Sequence, residues 1–135
     1  MKTRISTLAF AFLLTFGLTT AQAQEHAHHA ADEAPAVQPT LVDGVQVVEI
    51  DVTPMGYSID KISLAAGVPV RLLFTRTKKG GCTDTVQVPA FGVEPVALPL
   101  NEAVAIDFTP TESGTFAFAC SMDMVKGALL VKADS

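Results

Sequence analysis

The sequence predicts an all-β fold, a Greek-key β-sandwich of seven or eight short strands. Apolar and polar residues alternate in several short runs, turn-forming residues separate the runs, and no segment has the apolar period of an amphipathic helix. The chain has 135 residues, of which 49% are hydrophobic and 17% charged, a composition typical of a packed globule. At this length we expect a single hydrophobic core.

Three strands are predicted in the first half of the domain. Residues 45–52 alternate between apolar and polar side chains, apart from the adjacent Val47 and Val48. Residues 56–64 follow the break at Pro54, and the Ala66-Gly67 turn precedes a third strand at residues 68–74.

The second half contains the remaining strands. Residues 83–88 form a run that ends at Pro89, residues 95–100 are a short candidate edge strand, and residues 102–108 alternate again. The last two predicted strands are residues 114–120 and 126–132.

The first 23 residues have the pattern of a secretory signal peptide. Lys2 and Arg4 form a basic start, residues 5–18 are largely apolar, and Ala21-Gln22-Ala23 is a small-residue cleavage site. The apolar run is shorter than the ~20 residues that span a membrane, and no later stretch approaches that length. We therefore expect cleavage near Ala23, a periplasmic or secreted product and no membrane anchor.

A leader is predicted between the signal and the folded domain. Residues 24–40 are rich in Ala, Glu, His and Pro without apolar periodicity, so we expect a flexible segment before a domain at residues 41–135. After cleavage, the new amine and the imidazole at the third position can bind Cu(II) in a planar nitrogen set. Capture of Cu(II) by the leader is one hypothesis, and a polar tail without a metal role is the alternative. The three leader histidines are His26, His28 and His29.

Charge and motif content exclude several classes of function. The chain has 14 acidic and nine basic residues, a net charge of −5, which argues against a nucleic-acid partner. Phosphate-binding glycine loops, G-x-S-x-G elbows and H-E-x-x-H motifs are all missing from the sequence. Because all histidines lie in the leader, the domain has no imidazole for acid/base chemistry. We expect no enzymatic activity.

The sulfur-bearing residues are the informative feature of the sequence. In the segment 120–124, a cysteine and two methionines occur at every second position, a spacing that lets one loop present all three sulfurs. Cys82 follows Gly80-Gly81, a turn that would place it at the rim of the sandwich. Thiolates and thioethers are soft donors, and soft donors select Cu(I).

Several of these residues carry a family resemblance. Residues 56–132 resemble the bacterial cupredoxin-like domains and are most similar to the Cu(I)-chaperone branch, which has an early-strand cysteine and a late C-x-M-x-M loop. The resemblance implies one or two Cu(I) ions held by Cys82, Cys120, Met122 and Met124. It rests on Gly56-Tyr57, Cys82-Thr83, Phe108-Thr-Pro110, Gly114-Thr-Phe-Ala-Phe and Cys120-x-Met122-x-Met124-x-x-Gly127.

The sequence departs from the electron-transfer cupredoxins. A blue-copper centre has two histidines, one cysteine and a weak axial ligand, whereas Cys82 occupies the position of the first histidine and the late loop has none. We therefore favour an exported protein that holds Cu(I) for sequestration, delivery or resistance, with a copper-transport, sensing or assembly protein as partner. Electron transfer is one alternative.

Another alternative is a metal-free interaction module with a structural disulfide between Cys82 and Cys120, which an oxidising compartment allows. The methionines flanking Asp123 favour metal binding, because a disulfide gives no reason for them. Met55 is expected to fill the core or a turn. Arg76, Lys78 and Lys79 are either a solvated cluster or a source of positive charge that lowers the pKa of the nearby thiols.

Overall fold

The computed structural model describes residues 35–133, which form ten β-strands and one turn of 3-10 helix. The predicted all-β sandwich is confirmed, with more strands than the seven or eight expected. No helix in this part of the chain is long and apolar enough to cross a membrane. The elements are β1 Thr40–Val42, β2 Val45–Thr53, β3 Gly56–Tyr57, β4 Lys61–Ala65, β5 Val70–Arg76, β6 Thr85–Val88, the 3-10 helix Pro89–Phe91, β7 Val93–Ala97, β8 Ala103–Phe108, β9 Gly114–Ala119 and β10 Lys126–Lys132.

The strands are arranged in two five-stranded sheets. The first has the order β1-β2-β5-β8, with β3 paired to the end of β2, and the second has the order β4-β10-β9-β6-β7. Two neighbouring pairs are parallel, β2 with β5 and β4 with β10, and the other pairs are antiparallel. Because β2 and β5 run in parallel, the turn after β2 and the loop after β5 leave the sheet at the same end.

The additional strands arise in two places: where the sequence predicted one continuous strand, and at the end of the predicted leader. The predicted strand at residues 56–64 divides, because β3 pairs with β2 in the first sheet while β4 pairs with β10 in the second. Strand β1 begins at Thr40, the last residue of the predicted leader, and Val37, which forms an isolated bridge with Ile62, lies within that leader. The Val37 amide donates to the Lys61 carbonyl at 2.8 Å, so strand pairing begins before the predicted boundary at residue 41.

The core lies between the two sheets and is built from alternating positions of the strands. Strand β2, for example, buries Val48, Ile50 and Val52 while the intervening side chains face outwards. An aromatic cluster fills one part of the core, with the ring centroids of Phe74 and Phe118 5.6 Å apart in an edge-to-face arrangement. Such burial supplies most of the free energy that holds the sheets together.

Gly127 on β10 packs closely against the neighbouring strand β9. It lies opposite Phe118 in the β9–β10 pairing, and the aromatic ring of Phe118 covers the space that a side chain at position 127 would occupy. A Cβ at this position would overlap three ring carbons of Phe118. Glycine is therefore required here for packing, and it fixes the position of the residues just before the loop between β9 and β10.

We predict that Gly127→Ala lowers the free energy of unfolding by about 3 kcal/mol, because the buried ring must leave its rotamer. The matched control is Gly44→Ala, since Gly44 has a positive φ of 80° but nothing within 4 Å of its Cβ position. We expect the control to cost about 1 kcal/mol from backbone strain alone. Equal losses in urea unfolding would contradict the packing role of Gly127.

Candidate metal centre

Cys82 and Cys120 meet at one end of the sandwich. Their Sγ atoms lie 2.8 Å apart, although the two residues are 38 positions apart in the chain. Both cysteines are free thiols, and the distance exceeds the ~2.05 Å of a disulfide bond. The fold therefore brings together the two thiols that the sequence singled out.

The loop between β5 and β6 carries Cys82 to this position. Gly80 and Gly81 have φ values of 106° and 70°, as expected for a turn that only glycine adopts readily. A Cβ on Gly81 would lie 3.0 Å from the carbonyl oxygen of Pro54, so the loop packs closely on the turn after β2. The fully buried Thr83 secures this contact, because its hydroxyl donates to the carbonyl of Thr53 at 2.9 Å.

Cys120 lies at the end of β9, where the chain turns back tightly into β10. The Cys120 amide donates to the Val125 carbonyl at 3.0 Å, and the Asp123 amide donates to the Cys120 carbonyl at 2.9 Å. Asp123 has a φ of 56°, which a short polar side chain tolerates and which lets the loop close in so few residues. The loop from Cys120 to Val125 therefore has a defined backbone, which we call the sulfur loop.

Side chains of strand β6 form hydrogen bonds with the sulfur loop. The Gln87 carboxamide donates to the Cys120 carbonyl at 3.3 Å and to a carboxylate oxygen of Asp123 at 3.4 Å. The Ser121 amide donates to the hydroxyl of Thr85 at 3.2 Å. These contacts fix the loop relative to the strand that follows Cys82.

The sulfur loop also sets the protonation of Cys120. Burial alone would raise the pKa of this thiol, but hydrogen bonds from the Cys82 thiol and from backbone amides outweigh burial, and the pKa of Cys120 is lowered. The backbone amides that hydrogen-bond to the sulfur belong to Val125, Met124 and Met122. Cys120 is thus the more acidic thiol of the pair and the first to ionise.

The pKa of Cys82 is shifted in the opposite direction, upwards. Its pKa is raised by its hydrogen bond to Cys120, by burial and by the charge on Cys120, with a smaller contribution from the Asp84 carboxylate. Once Cys120 has ionised, the two sulfurs form a thiol–thiolate pair in which the Cys82 thiol donates the hydrogen bond to Cys120. Removal of the second proton opposes the charge already present, so the pair titrates in two separated steps.

The expectation that basic residues lower the pKa of the thiols is wrong for Cys82. Lys78 and Lys79 are exposed on the loop, where solvent screens their charge. The guanidinium of Arg76 donates to the Leu98 carbonyl at 3.4 Å. Backbone amides, rather than basic side chains, stabilise the thiolate.

The three methionines of the described chain are all exposed. Met122 and Met124 follow Cys120 on the sulfur loop and have 69% and 73% of their surface accessible, so their side chains face solvent. Met55 is 93% exposed in the turn after β2. Its prediction as a turn residue is confirmed, and a role in filling the core is wrong because its side chain contributes almost nothing to burial.

The donor set at this end is made of sulfur. Within residues 35–133, no group of three or more His, Cys, Asp or Glu side chains is arranged to hold a metal ion. Two thiols with nearby thioethers fit a soft ion and do not fit ions that require imidazole or carboxylate ligands. His26, His28 and His29 lie outside the described residues, so Cu(II) capture by the leader stays a hypothesis.

Some residues around the thiols carry no signal in the sequence. Thr83 and Gln87 are ordinary strand and loop residues until the fold brings their partners close, because those partners are remote in the chain. Tyr57 belongs to the motif Gly56-Tyr57 but had no assigned role. It is the only tyrosine in the protein, and its proximity to the thiols emerges only from the structure.

A β-sandwich with a pair of thiols held between loops at one end defines a class of small domains suited to binding a soft metal. The chain belongs to the cupredoxin-like domain family, whose model matches residues 7–131. No curated protein was found to match it in sequence.

Solved structures extend the comparison. A copper-binding protein in the apo form is 31% identical, with a TM-score of 0.68 over 74% of this chain and 100% of that one. The metal-binding domain of the Streptococcus pneumoniae D39 Cu(I)-exporting P-type ATPase CopA, solved with Cu(I), is also 31% identical, with a TM-score of 0.67 over 74% and 98%. The periplasmic domain of cytochrome oxidase subunit II from Bradyrhizobium japonicum is 13% identical over 70% of this chain and 89% of that one, and its TM-score of 0.53 shows the shared fold alone.

We predict that Cys82→Ala raises the pKa of Cys120, because the variant loses the S–H donor while burial remains. Thiolate absorbance of the reduced protein, followed against pH without oxygen, measures the shift. The two thiols of the wild type should ionise in two steps, one with a pKa below that of an ordinary cysteine and one with a pKa above it. Ser58→Ala, which removes a hydroxyl that accepts from the Asp51 amide, is the control and should leave both steps unchanged. A single step in the ordinary range for the wild type would contradict the thiol–thiolate pair.

Proposed function

We propose that this protein binds Cu(I) through Cys82 and Cys120 and holds the ion for sequestration or handover to another copper-handling protein. The observation that carries the proposal is the pair of free thiols whose Sγ atoms lie 2.8 Å apart. The copper ion is the cargo of the protein, and no chemical conversion is required of the site.

The chemistry of the ligands favours Cu(I) over harder ions. Thiolates bind Cu(I) strongly, whereas Cu(II) prefers nitrogen and oxygen donors in a planar arrangement. The domain from residue 41 onward has no histidine. A site of sulfur alone stabilises the reduced ion, and this disfavours the redox cycling that an electron-transfer protein requires.

The electrostatics of the pair also suit a monovalent metal ion. Hydrogen bonds from the Cys82 thiol and from backbone amides lower the pKa of Cys120, so Cys120 loses its proton more readily than Cys82 when both sulfurs bind copper. The more acidic thiol offers the first strong ligand to the ion.

The exposed methionines suit the release of copper to a partner. Thioethers are neutral and weaker ligands than thiolates, and Met122 and Met124 project into solvent from the loop that holds Cys120. We propose that they receive Cu(I) at the surface, support a second ion next to the thiols and yield it to the ligands of a partner. Accessible weak ligands favour exchange over permanent storage.

The similar structures support copper as the cargo. One is a copper-binding protein and another is the metal-binding domain of a Cu(I) exporter, and each matches nearly its whole length to this chain. A copper transporter or a copper-assembly protein is the kind of partner that this similarity suggests. Because a signal peptide is predicted at residues 1–23, we propose that this function is exercised in the periplasm or outside the cell.

Anaerobic titration of the reduced protein with Cu(I), in competition with a chromophoric chelator, tests the proposal. We expect tight binding of one ion by the wild type, and a second, weaker ion if the thioethers take part. Cys120→Ser should abolish tight binding, because it removes the thiolate ligand. Met124→Leu should weaken binding of the second ion while preserving the first.

Met55→Leu is the matched control, since it removes an exposed thioether from outside the proposed ligand set. We expect its affinity and stoichiometry to equal those of the wild type. Unchanged tight binding in Cys120→Ser would refute the site. A wild-type protein with a quantitative disulfide and no copper affinity after reduction would support a metal-free module, and an intensely coloured Cu(II) form would support electron transfer.

A further inference from the structure

All three methionines of residues 35–133 lie on loops at the thiol end of the sandwich, and all three are exposed. Met55 is 93% exposed, while Met122 and Met124 are 69% and 73% exposed. Single exposed apolar side chains are ordinary, but a group of them at one end indicates a surface that contacts another molecule. Methionine is frequent on such surfaces because its unbranched side chain adapts to the shape of a partner.

The turn that carries Met55 packs against both loops of the thiol pair. On one side, a Cβ on Gly81 would lie 3.0 Å from the carbonyl oxygen of Pro54. On the other side, the Cβ position of Gly56 lies 3.7 Å from the side chain of Val125 in the sulfur loop. The three segments therefore form one continuous surface around the thiols, which we call the thiol face and which comprises residues 54–56, 77–82 and 120–125.

The loop that carries Cys82 differs in charge from the rest of the domain. Residues 76–84 contain three basic residues and one acidic residue, whereas the remainder of residues 35–133 contains four basic and nine acidic residues. Lys78 and Lys79 are exposed on this loop, immediately before the glycine pair that precedes Cys82. A local excess of positive charge on an acidic domain attracts and orients an acidic partner.

These two lysines are not used by the fold. Within the part of the chain that the structure describes, neither forms an ion pair, whereas Arg71 contacts Asp107 at 2.7 Å and Lys126 lies 4.0 Å from Asp123. Solvent weakens the effect of the two lysines on the thiols, yet it leaves their ammonium groups free to pair with carboxylates on a second protein.

We propose that the thiol face is a docking surface for an acidic copper-handling protein, with the methionines at its centre and Lys78 and Lys79 at its margin. The inference rests on the proposed function, because it identifies the surface through which copper is handed over and the charge of the protein that receives it. Carboxylates of the partner would pair with the lysines while its own copper ligands approach the centre. Cys82 is partly exposed, so the ion can pass between the two proteins without opening the fold.

An acidic protein fits this surface better than an anionic membrane does. Each lysine near a membrane surface contributes only about 1 kcal/mol of attraction to anionic lipids, and the thiol face has two unpaired lysines. The acidic excess in the remainder of the domain opposes such binding. A protein surface can instead place its carboxylates opposite the two lysines and avoid the acidic residues.

Transfer of Cu(I) from the loaded protein to synthetic peptides tests the inference. Two peptides of equal length carry the same pair of cysteine ligands, flanked by aspartates in one and by lysines in the other. Without oxygen and at low ionic strength, we expect the acidic peptide to receive copper about tenfold faster than the basic peptide. This advantage should disappear at about 1 M salt, where charges are screened beyond ~3 Å.

Charge reversal on the loop assigns the effect to the lysines. Lys78→Glu and Lys79→Glu, made singly, should each reduce the advantage of the acidic peptide by about threefold. The matched control is Lys132→Glu, which makes the same change of charge at an exposed position. Lys132 ends β10, about 20 Å along the strand from the sulfur loop, so this control should keep the full advantage.

A charge at the centre of the thiol face tests the role of Met55. Met55→Asp should slow transfer to the acidic peptide, because the new carboxylate repels it, while the affinity for Cu(I) stays that of the wild type. Weaker Cu(I) binding by this variant would overturn the assignment of Met55 to docking.

Sedimentation with vesicles of equal parts phosphatidylglycerol and phosphatidylcholine tests the membrane as the alternative. The loaded protein should stay in solution. Binding to the vesicles that Lys78→Glu abolishes would assign the lysines to a lipid surface and overturn the inference.

The outcomes are distinct from those that test copper binding itself. Tight Cu(I) binding with equal transfer rates to the two peptides, or an equal loss of the advantage in Lys132→Glu and Lys79→Glu, would overturn the docking surface and leave the proposed function intact. Failure of the wild type to bind Cu(I) would overturn both.

Discussion

The contact between the sulfur atoms of Cys82 and Cys120 is the interaction around which the functional end of the molecule is organised. Each thiol lies on a loop whose path depends on residues with positive φ angles. These residues are Gly80 and Gly81 in the loop that carries Cys82, and Asp123 in the loop that begins at Cys120. Polar contacts from Thr83 and Gln87 hold these loops to the sheets. The sandwich acts as a rigid frame that keeps two remote thiols at 2.8 Å.

The surroundings of Cys82 and Cys120 explain why the two thiols differ in pKa. Backbone amides converge on Cys120 and favour its charge, whereas Cys82 lies beside a thiolate and a carboxylate that oppose ionisation. The first proton of the pair is therefore lost more easily than that of an isolated thiol, and the second is lost less easily. Such a pair is prepared for a soft monovalent ion, and the same proximity makes it open to oxidation in an oxidising compartment. Bound copper and a disulfide are thus competing states of one pair of sulfurs.

Much of the fold and part of the site could be predicted from the sequence, because both depend on local patterns. Alternation of apolar residues located most strands, and the glycine pair before Cys82 indicated a turn at the rim. The division of residues 56–64 between two sheets could not be predicted, since it depends on which neighbours are available for pairing. The difference in acidity between the two thiols was also beyond sequence reasoning, because it depends on the hydrogen bond between them and on backbone amides of the sulfur loop.

Copper-edge X-ray absorption of the reduced protein with one equivalent of Cu(I) tests the central claim most directly, because it identifies the atoms bound to the ion. A Cys82→Ala/Cys120→Ala variant, in which the thioethers remain, is the reference. If the two cysteine thiolates are the principal ligands, the first coordination shell of copper in the wild type should contain sulfur alone. The variant should then lack the tightly bound copper. Nitrogen or oxygen atoms in the first shell of the wild type, or an identical spectrum from the variant, would contradict the claim that the Cys82–Cys120 pair holds copper.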